Sequence, residues 1–449
     1  MEAKTEATLW VDVGILRQVR RPTGIPRMVQ QVIHNWRHQA VPIRTCYFDP
    51  VWRIYREGDE GAPASNTPPR EGTPHLEAPP RQGGPNRKAT PPKATSPMRW
   101  VLRQVKRVVR RLMPGPVLRC VRRLVIWLGS LEAPFAPGDT LFLAGPAWAD
   151  NPARDAIPRL RQKRGLRVAL VVYDIIPLRC QHLVPGLKPV FEAWLPMALA
   201  TTDLILTISE FSRQDLHRYC RHHGLSCPPV RVIRLGDEPG HDATEVQPES
   251  PPLVSDRGFA LCVGTISHHK NQWLLLHVWR RLVRRYGSQV PQLVLVGGSF
   301  GACQLDLIDL LAEDEELAGH VVCCSEASDA ELRWLYRHCQ FTLFPSHYEG
   351  WGLPVAEGLS YGKHCICSSA ASLPEIGGTL VDYHESYDSG ECLRLVERAV
   401  FESGWLEERE RRICGEYRVT TWADTARQVL AALRDEPLPS THAPVARAG

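Results

Sequence analysis

Short apolar runs alternate with amphipathic stretches along most of this chain. Residues 9–13 read as a strand, a turn follows at 22–26, and then comes a helix with Met28, Val29, Val32 and Ile33 on one face. Residues 41–48 form a second strand signal, and 140–144, 167–173 and 203–208 are further apolar runs. Runs of this kind suit strands buried on both faces of a parallel sheet. A second series begins after residue 256, with strands at 259–264, 293–296, 321–324, 341–344 and 364–367. Between them lie a helix over 272–286, stopped near Gly287, and another that opens on Ser328-Asp329-Ala330-Glu331, a capping box, and runs to about Cys339. Repeated β-α units of this type predict an α/β chain with two doubly wound domains and a ligand cleft between them.

Two stretches break the pattern. Residues 57–98 are rich in Pro, Gly, Ser, Thr and charge, and carry too little apolar surface to offset the entropy of ordering. They are expected to be a disordered insertion. From 99 to 128, Val101, Leu102, Val105, Val108, Val109 and Leu112 recur at helical spacing opposite Arg103, Lys106, Arg107, Arg110 and Arg111. Such a basic amphipathic segment either lies on an anionic bilayer or packs on its own domain with a solvated basic face. The lack of acids from Arg99 to Leu131 favours the bilayer. The expected division is an N-terminal domain over 1–240, a Pro- and acid-rich linker over 241–256, a second domain over 257–435 and a disordered tail over 436–449.

At 449 residues there is room for two or three cores. A net charge of +5 argues for neither nucleic acid nor membrane by itself, and the arginine-rich stretch carries aliphatics rather than interleaved aromatics, so a nucleic-acid partner is not expected. The N-terminus lacks the layout of a signal peptide and no apolar run can span a bilayer, which predicts a cytoplasmic protein, peripheral on the inner face of the membrane if 99–128 binds there. The 14 cysteines show no paired C-x-x-C pattern and read as small buried thiols. His268-His269 and His222-His223 lack a partner ligand at metal spacing.

The densest chemistry lies at 344–357. Glu349 sits in a loop with Gly350 and Gly352, Pro354 stands where a helix can begin, and Glu357 falls about one turn inside it. Free amides at such a helix start attract an anion, while two carboxylates can grip hydroxyls. A second loop, Gly264-Thr265-Ile266-Ser267-His268-His269-Lys270-Asn271, leaves a strand end just before a helix and offers Lys270 to a phosphate. Phosphate for the amides and hydroxyls for the carboxylates describe a sugar nucleotide.

On these residues the C-terminal half resembles the retaining nucleotide-sugar glycosyltransferases of the GT-B fold, specifically glycosyltransferase family 4, with a mannosyltransferase-like layout. Glu349 and Glu357, with seven residues between them, match that group's paired glutamates, and Val263-Gly264-Thr265 with His269-Lys270-Asn271 matches its phosphate loop. Leu343-Phe344-Pro345-Ser346 matches the strand leading into the motif. Weaker likenesses in the first half are Thr23-Gly24-Ile25, Tyr173-Asp174-Ile175-Ile176-Pro177 and Thr207-Ile208-Ser209-Glu210-Phe211-Ser212.

The resemblance implies two Rossmann-like domains facing a central cleft. It implies that Glu357 holds the donor ribose, that Glu349 with Gly350, Trp351, Gly352 and Leu353 holds the donor sugar, and that Lys270 neutralises the leaving diphosphate. Thr265 and His269 belong to the same donor loop, and Gly24 lets backbone approach the phosphates. Tyr173, Asp174 and Ser209 are the acceptor or sugar contacts it implies. No Asp-x-Asp motif is present, so neither a metal nor another cofactor is expected. The chain departs from the family pattern with Tyr173 where histidine is common and His269 where arginine is common. The expected partners are a nucleotide sugar, with GDP-mannose as first candidate, and a glycan or lipid-linked acceptor for cell-surface polysaccharide such as lipopolysaccharide. A non-catalytic scaffold at the membrane surface and a GT-B sugar-nucleotide epimerase are the competing readings.

Overall fold

The computed structural model describes residues 7–18, 24–39, 41–49, 54–58, 133–149, 151–238, 257–298, 307, 309–311, 313–325 and 327–439. The basic segment at 99–128, the linker at 241–256 and nearly all of 57–98 lie outside these residues.

Two sheets carry the fold. In the first, β1 (Leu9–Asp12), β2 (Ile43–Asp49), β3 (Ile54–Glu57), β4 (Thr140–Leu143), β5 (Arg167–Val172), β6 (Leu204–Thr207) and β7 (Val230–Val232) lie in the order β3-β2-β1-β4-β5-β6-β7. All neighbours are parallel except β2 and β3, which pair as an antiparallel edge. Strand β3 takes in Glu57, so order extends into the start of the range expected to be disordered. Tyr55 is its anchor, packed edge-on against Phe48 and tilted against Phe135.

The second sheet is wholly parallel, with β8 (Phe259–Val263), β9 (Gln292–Val296), β10 (Val321–Cys324), β11 (Phe341–Phe344), β12 (Cys365–Ser368) and β13 (Asp382–His384) ordered β10-β9-β8-β11-β12-β13. Strands β6, β9, β11 and β12 are buried along their whole length, as continuous apolar runs require. Each sheet reverses direction of winding once, between β1 and β4 in the first and between β8 and β11 in the second. The carboxyl ends of strands at such a reversal are where open α/β sheets bind ligands.

The helices that matter to the cleft are α1 (Ile25–His38), α2 (Asn151–Arg164), α3 (Ile176–Arg179), α4 (Lys188–Thr201), α5 (Glu210–His222), α6 (Gln272–Tyr286), α7 (Asp329–His338), α8 (Leu353–Ser360), α9 (Leu373–Gly377), α10 (Ser389–Phe401), α11 (Trp405–Glu416) and α12 (Trp422–Leu433). The capping box at the start of α7 is formed: Glu331 N donates to Ser328 Oγ at 3.1 Å and Ser328 N donates to Glu331 Oε2 at 2.7 Å.

The last helix does not stay with the second sheet. Helix α12 packs on α1, where Trp36 Nε1 donates to the Ala426 carbonyl at 2.8 Å and Thr425 Oγ1 donates to the Arg234 carbonyl at 2.9 Å. Order also continues into the range expected to be a loose tail, since Glu436 N donates to Ala431 O at 2.9 Å and Leu438 rests on the same apolar cluster. That cluster runs unbroken from Val11, Met28 and Phe142 of the first lobe to Phe344, Trp351 and Val355 of the second. Apolar burial therefore joins the lobes as well as filling each of them.

Candidate active site

Two loops of the second lobe are stitched together at the winding reversal. After β8, Gly264 keeps an extended, positive-φ turn with φ +153°, which leaves its surface open to the Lys270 side chain. Asn271 adopts the left-handed conformation that asparagine tolerates, ending the short turn at His268–Lys270 and starting α6. Its Nδ2 donates to the carbonyls of Pro345 at 3.1 Å and Ser386 at 2.8 Å, and His347 N donates to His269 O at 2.8 Å. These bonds bring the loop after β11 against the loop after β8.

The consequence is a short ion pair. Lys270 Nζ donates to Glu349 Oε1 at 2.6 Å, and the ammonium also sits 5.0 Å from the centre of the Phe344 ring. Ser372, at the start of α9, donates to the carbonyls of Glu349 and Trp351 at 3.0 and 2.6 Å, which fixes the loop from behind. Helix α8 then begins at Gly352, whose φ of +140° suits glycine, and no side chain caps its first amides. Helix α1 of the other lobe begins likewise at Gly24, with φ +57° and no side-chain cap. Each helix start leaves backbone donors available to an anion.

Glu357 lies deeper. It is 4 % exposed, and its two oxygens have one donor each: Arg27 Nη1 at 2.8 Å on Oε1 and Tyr336 Oη at 2.8 Å on Oε2. Burial pushes its carboxyl above the usual range, opposed by the Arg27 charge and the Tyr336 hydroxyl. Arg27 was not anticipated from sequence, and it comes from the first turn of α1 in the opposite lobe.

Other cross-lobe contacts frame the cleft. Ser212 Oγ lies 3.1 Å from Tyr173 O and 3.2 Å from Gly350 O. A Cβ on Gly350 would sit 2.4 Å from the Tyr173 carbonyl oxygen, so this close approach requires glycine. The Tyr348 hydroxyl donates to Asp215, which also pairs with Arg179 at 3.1 Å. Glu375 accepts from Glu210 N at 2.8 Å and Phe211 N at 2.6 Å, so a carboxylate of the second lobe caps helix α5 of the first.

Three expected contacts are placed elsewhere. The Tyr173 hydroxyl donates to the Ala144 carbonyl at 2.6 Å inside the first lobe, and burial pushes its pKa up, so the ring is engaged in the core of that lobe. Ser209 is fully buried and caps α5, accepting from Ser212 N at 3.0 Å. The Trp351 ring is packed into the apolar cluster between the lobes. Leu353 is half-buried against the same cluster, and Thr265 is exposed at the end of β8.

Two groups beside Lys270 are tuned by their surroundings. Burial raises the Asp174 carboxyl to about 6; its bond from Ile176 N at 3.0 Å and Lys270 oppose this, and Glu349 adds to it. Burial and the Lys270 charge lower His269 to about 4, so its imidazole is neutral at pH 7, with Nδ1 3.0 Å from Ser267 Oγ. Among the described residues no cluster of three or more His, Cys, Asp or Glu has the makings of a metal site, and no helix is long and apolar enough to cross a membrane.

Residues 243–382 match the family model described as glycosyl transferases group 1. The chain is similar to O-antigen chain mannosyltransferase B of Escherichia coli, at 26% identity over 64% of this chain and 76% of that protein. It is also similar to the serotype-specific mannosyltransferase WbdA of Escherichia coli, at 24% identity over 58% of this chain but only 32% of that longer protein. Among solved structures, sucrose-phosphate synthase of Thermosynechococcus elongatus superposes with a TM-score of 0.58 over 96% of this chain and 99% of its own, at 15% identity, which speaks to the fold alone. Two doubly wound lobes and the superposition on sucrose-phosphate synthase give the chain the GT-B fold, and its second lobe, over the Lys270 and Glu349 loops, is similar to the glycosyl transferases group 1.

Proposed function

We propose that this enzyme transfers a hexose, with mannose from GDP-mannose as the first candidate, from a nucleotide sugar to a growing glycan or lipid-linked acceptor in the synthesis of a cell-surface polysaccharide, with retention at the anomeric carbon. The observation that carries this reading is the Lys270–Glu349 pair at 2.6 Å, held at the winding reversal with Glu357 beneath it. The similarity to O-antigen chain mannosyltransferase B supports the choice of sugar and of product.

The work is proposed to divide as follows. The diphosphate displaces part of the Lys270–Glu349 contact and takes the ammonium for itself, together with the free amides at the starts of α8 and α1. Glu349, released on one oxygen, turns to the hydroxyls of the hexose. Glu357 accepts from the ribose. As the bond between the anomeric carbon and the diphosphate oxygen breaks, negative charge grows on the leaving group, and Lys270 with the helix amides stabilises it. The acceptor hydroxyl attacks the same face of the oxocarbenium-like sugar and gives its proton to the departing diphosphate oxygen. No step draws on a metal, because Lys270 and the helix starts supply the positive potential. Asp174, close enough to Glu349 and Lys270 to feel both charges, is the first-lobe group proposed to meet the hexose or the acceptor.

Steady-state transfer from a panel of GDP- and UDP-sugars tests the reading, scored beside K270A and E349A. Each variant is expected to lower transfer by about 100-fold or more, the scale on which one charge-stabilising group acts. Wild-type rates in both variants would contradict it. Product analysis without acceptor separates transfer from epimerisation.

A further inference from the structure

We infer that Arg27 is a positioning residue for donor binding: from the acceptor-side lobe it holds the Glu357 carboxylate of the other lobe in the direction that the donor's ribose hydroxyls require. The inference rests on the donor reading of Glu357 given above and deepens it.

The placement of Arg27 is costly unless it is used. A guanidinium in the first turn of α1 faces the positive end of that helix's own dipole, and it is 5 % exposed. What offsets the cost lies entirely across the lobe boundary. Nη1 donates to Glu357 Oε1 at 2.8 Å and Nη2 to Asp329 Oδ1 at 3.3 Å, so the planar fork is spread over α8 and α7 at once. Tyr336 fixes the second oxygen of Glu357 at 2.8 Å. With one donor on each oxygen the plane of the carboxylate is set, and each oxygen keeps an acceptor position. Two adjacent hydroxyls, as on a ribose, match two oxygens so oriented.

Charge follows the same arrangement. The groups facing Glu357 are Arg27 from α1, Asp329 and Tyr336 from α7 and Tyr361 after α8. Arg27 is the cation in contact with Glu357, while Arg333 and Arg337 of α7 face Tyr361. Burial pushes the carboxyl up, so without Arg27 it takes a proton at higher pH and loses acceptor capacity.

The test is calorimetric titration of GDP and UDP into the full chain, wild type, R27M and R27K, between pH 8 and 6, with donor and acceptor KM measured alongside. R27M is expected to bind the nucleotide about 10- to 100-fold more weakly, the worth of a charged hydrogen bond. Its deficit deepens as pH falls, while kcat and acceptor KM change little. R27K, which keeps the charge but not the fork, recovers the wild-type pH dependence and only part of the affinity. It carries the test alone if R27M does not fold. Equal affinity in wild type and R27M at every pH, or R27K indistinguishable from wild type where R27M fails to fold, overturns the inference. Wild type that binds neither nucleotide overturns the donor reading, and this inference with it.

Discussion

Glu349 and Glu357 have seven residues between them in sequence and take their partners from different places. Glu349, 7 % exposed, pairs with Lys270 of its own lobe, on a loop at the strand ends. Glu357 is held from two sides, by Tyr336 of its own lobe and Arg27 of the other, and is nearly sealed from solvent. The first carboxylate has a single partner from its own lobe and the second is held across the lobe boundary. On the proposed function, that difference gives the chemistry to the loop between β11 and α8 and the recognition to the helix behind it.

The sharpest break of this comparison is a double-mutant cycle. K270A and E349A each remove a contact to a different part of the donor, so the double variant is expected to lose clearly more transfer than either single one, each of which loses roughly 100-fold or more. A double variant no worse than a single one would mean that the two side chains act only as one unit and do not part for the donor.

A smaller effect tests the lobe boundary. In G350A the new methyl meets the Tyr173 carbonyl, so the lobes must part. Overpacking of this type costs about 1–3 kcal/mol, and a fall in melting temperature together with a transfer rate lower by roughly tenfold is expected. An unchanged melting temperature would place the two loops further apart than they are here.

Next comes pH. The Asp174 carboxyl titrates near 6, above its usual value, so the folded protein keeps this proton while the unfolded chain loses it. Its contribution to stability therefore declines as pH rises from about 4 to about 6. The same proton matters for binding, because a neutral Asp174 repels the diphosphate less. Donor affinity is expected to improve as pH falls from 7 to about 5.5, and D174N to flatten that limb. An identical limb in D174N would assign it to another group.

The smallest effect is Y173F. Its hydroxyl bonds Ala144 within the first lobe, so the variant should lose about 1 kcal/mol of stability and leave donor KM unchanged. A raised donor KM would return Tyr173 to the site.

The centres of both sheets were legible because strands such as β6, β9, β11 and β12 are buried on both faces and so read as continuous apolar runs. The three-residue strand β13, Asp382-Tyr383-His384, carried no such signal; it is polar in sequence, and Arg409 holds Asp382 at 2.5 Å. Edge strand β3 was hidden inside a compositional boundary that falls at Glu57. In the site, Lys270 and the two glutamates were legible because each lies in a local loop or helix-start pattern. Arg27 was not. It lies beside the apolar stripe of Met28, Val29, Val32 and Ile33, and its partner Glu357 is 330 residues away. Tyr173 misled for the opposite reason: it follows an apolar strand into a motif-like turn, but its ring folds back into the core. Local sequence reports which groups are present at strand ends; which of them reach across to the other lobe is set by packing.

The most direct measurement of the central claim is the affinity of a nucleoside diphosphate relative to its parent nucleoside, for GDP against guanosine and UDP against uridine, in wild type and K270A. If Lys270 receives the diphosphate between the lobes, wild type prefers one diphosphate strongly over its nucleoside and K270A loses most of that preference. The same preference in both proteins would contradict it.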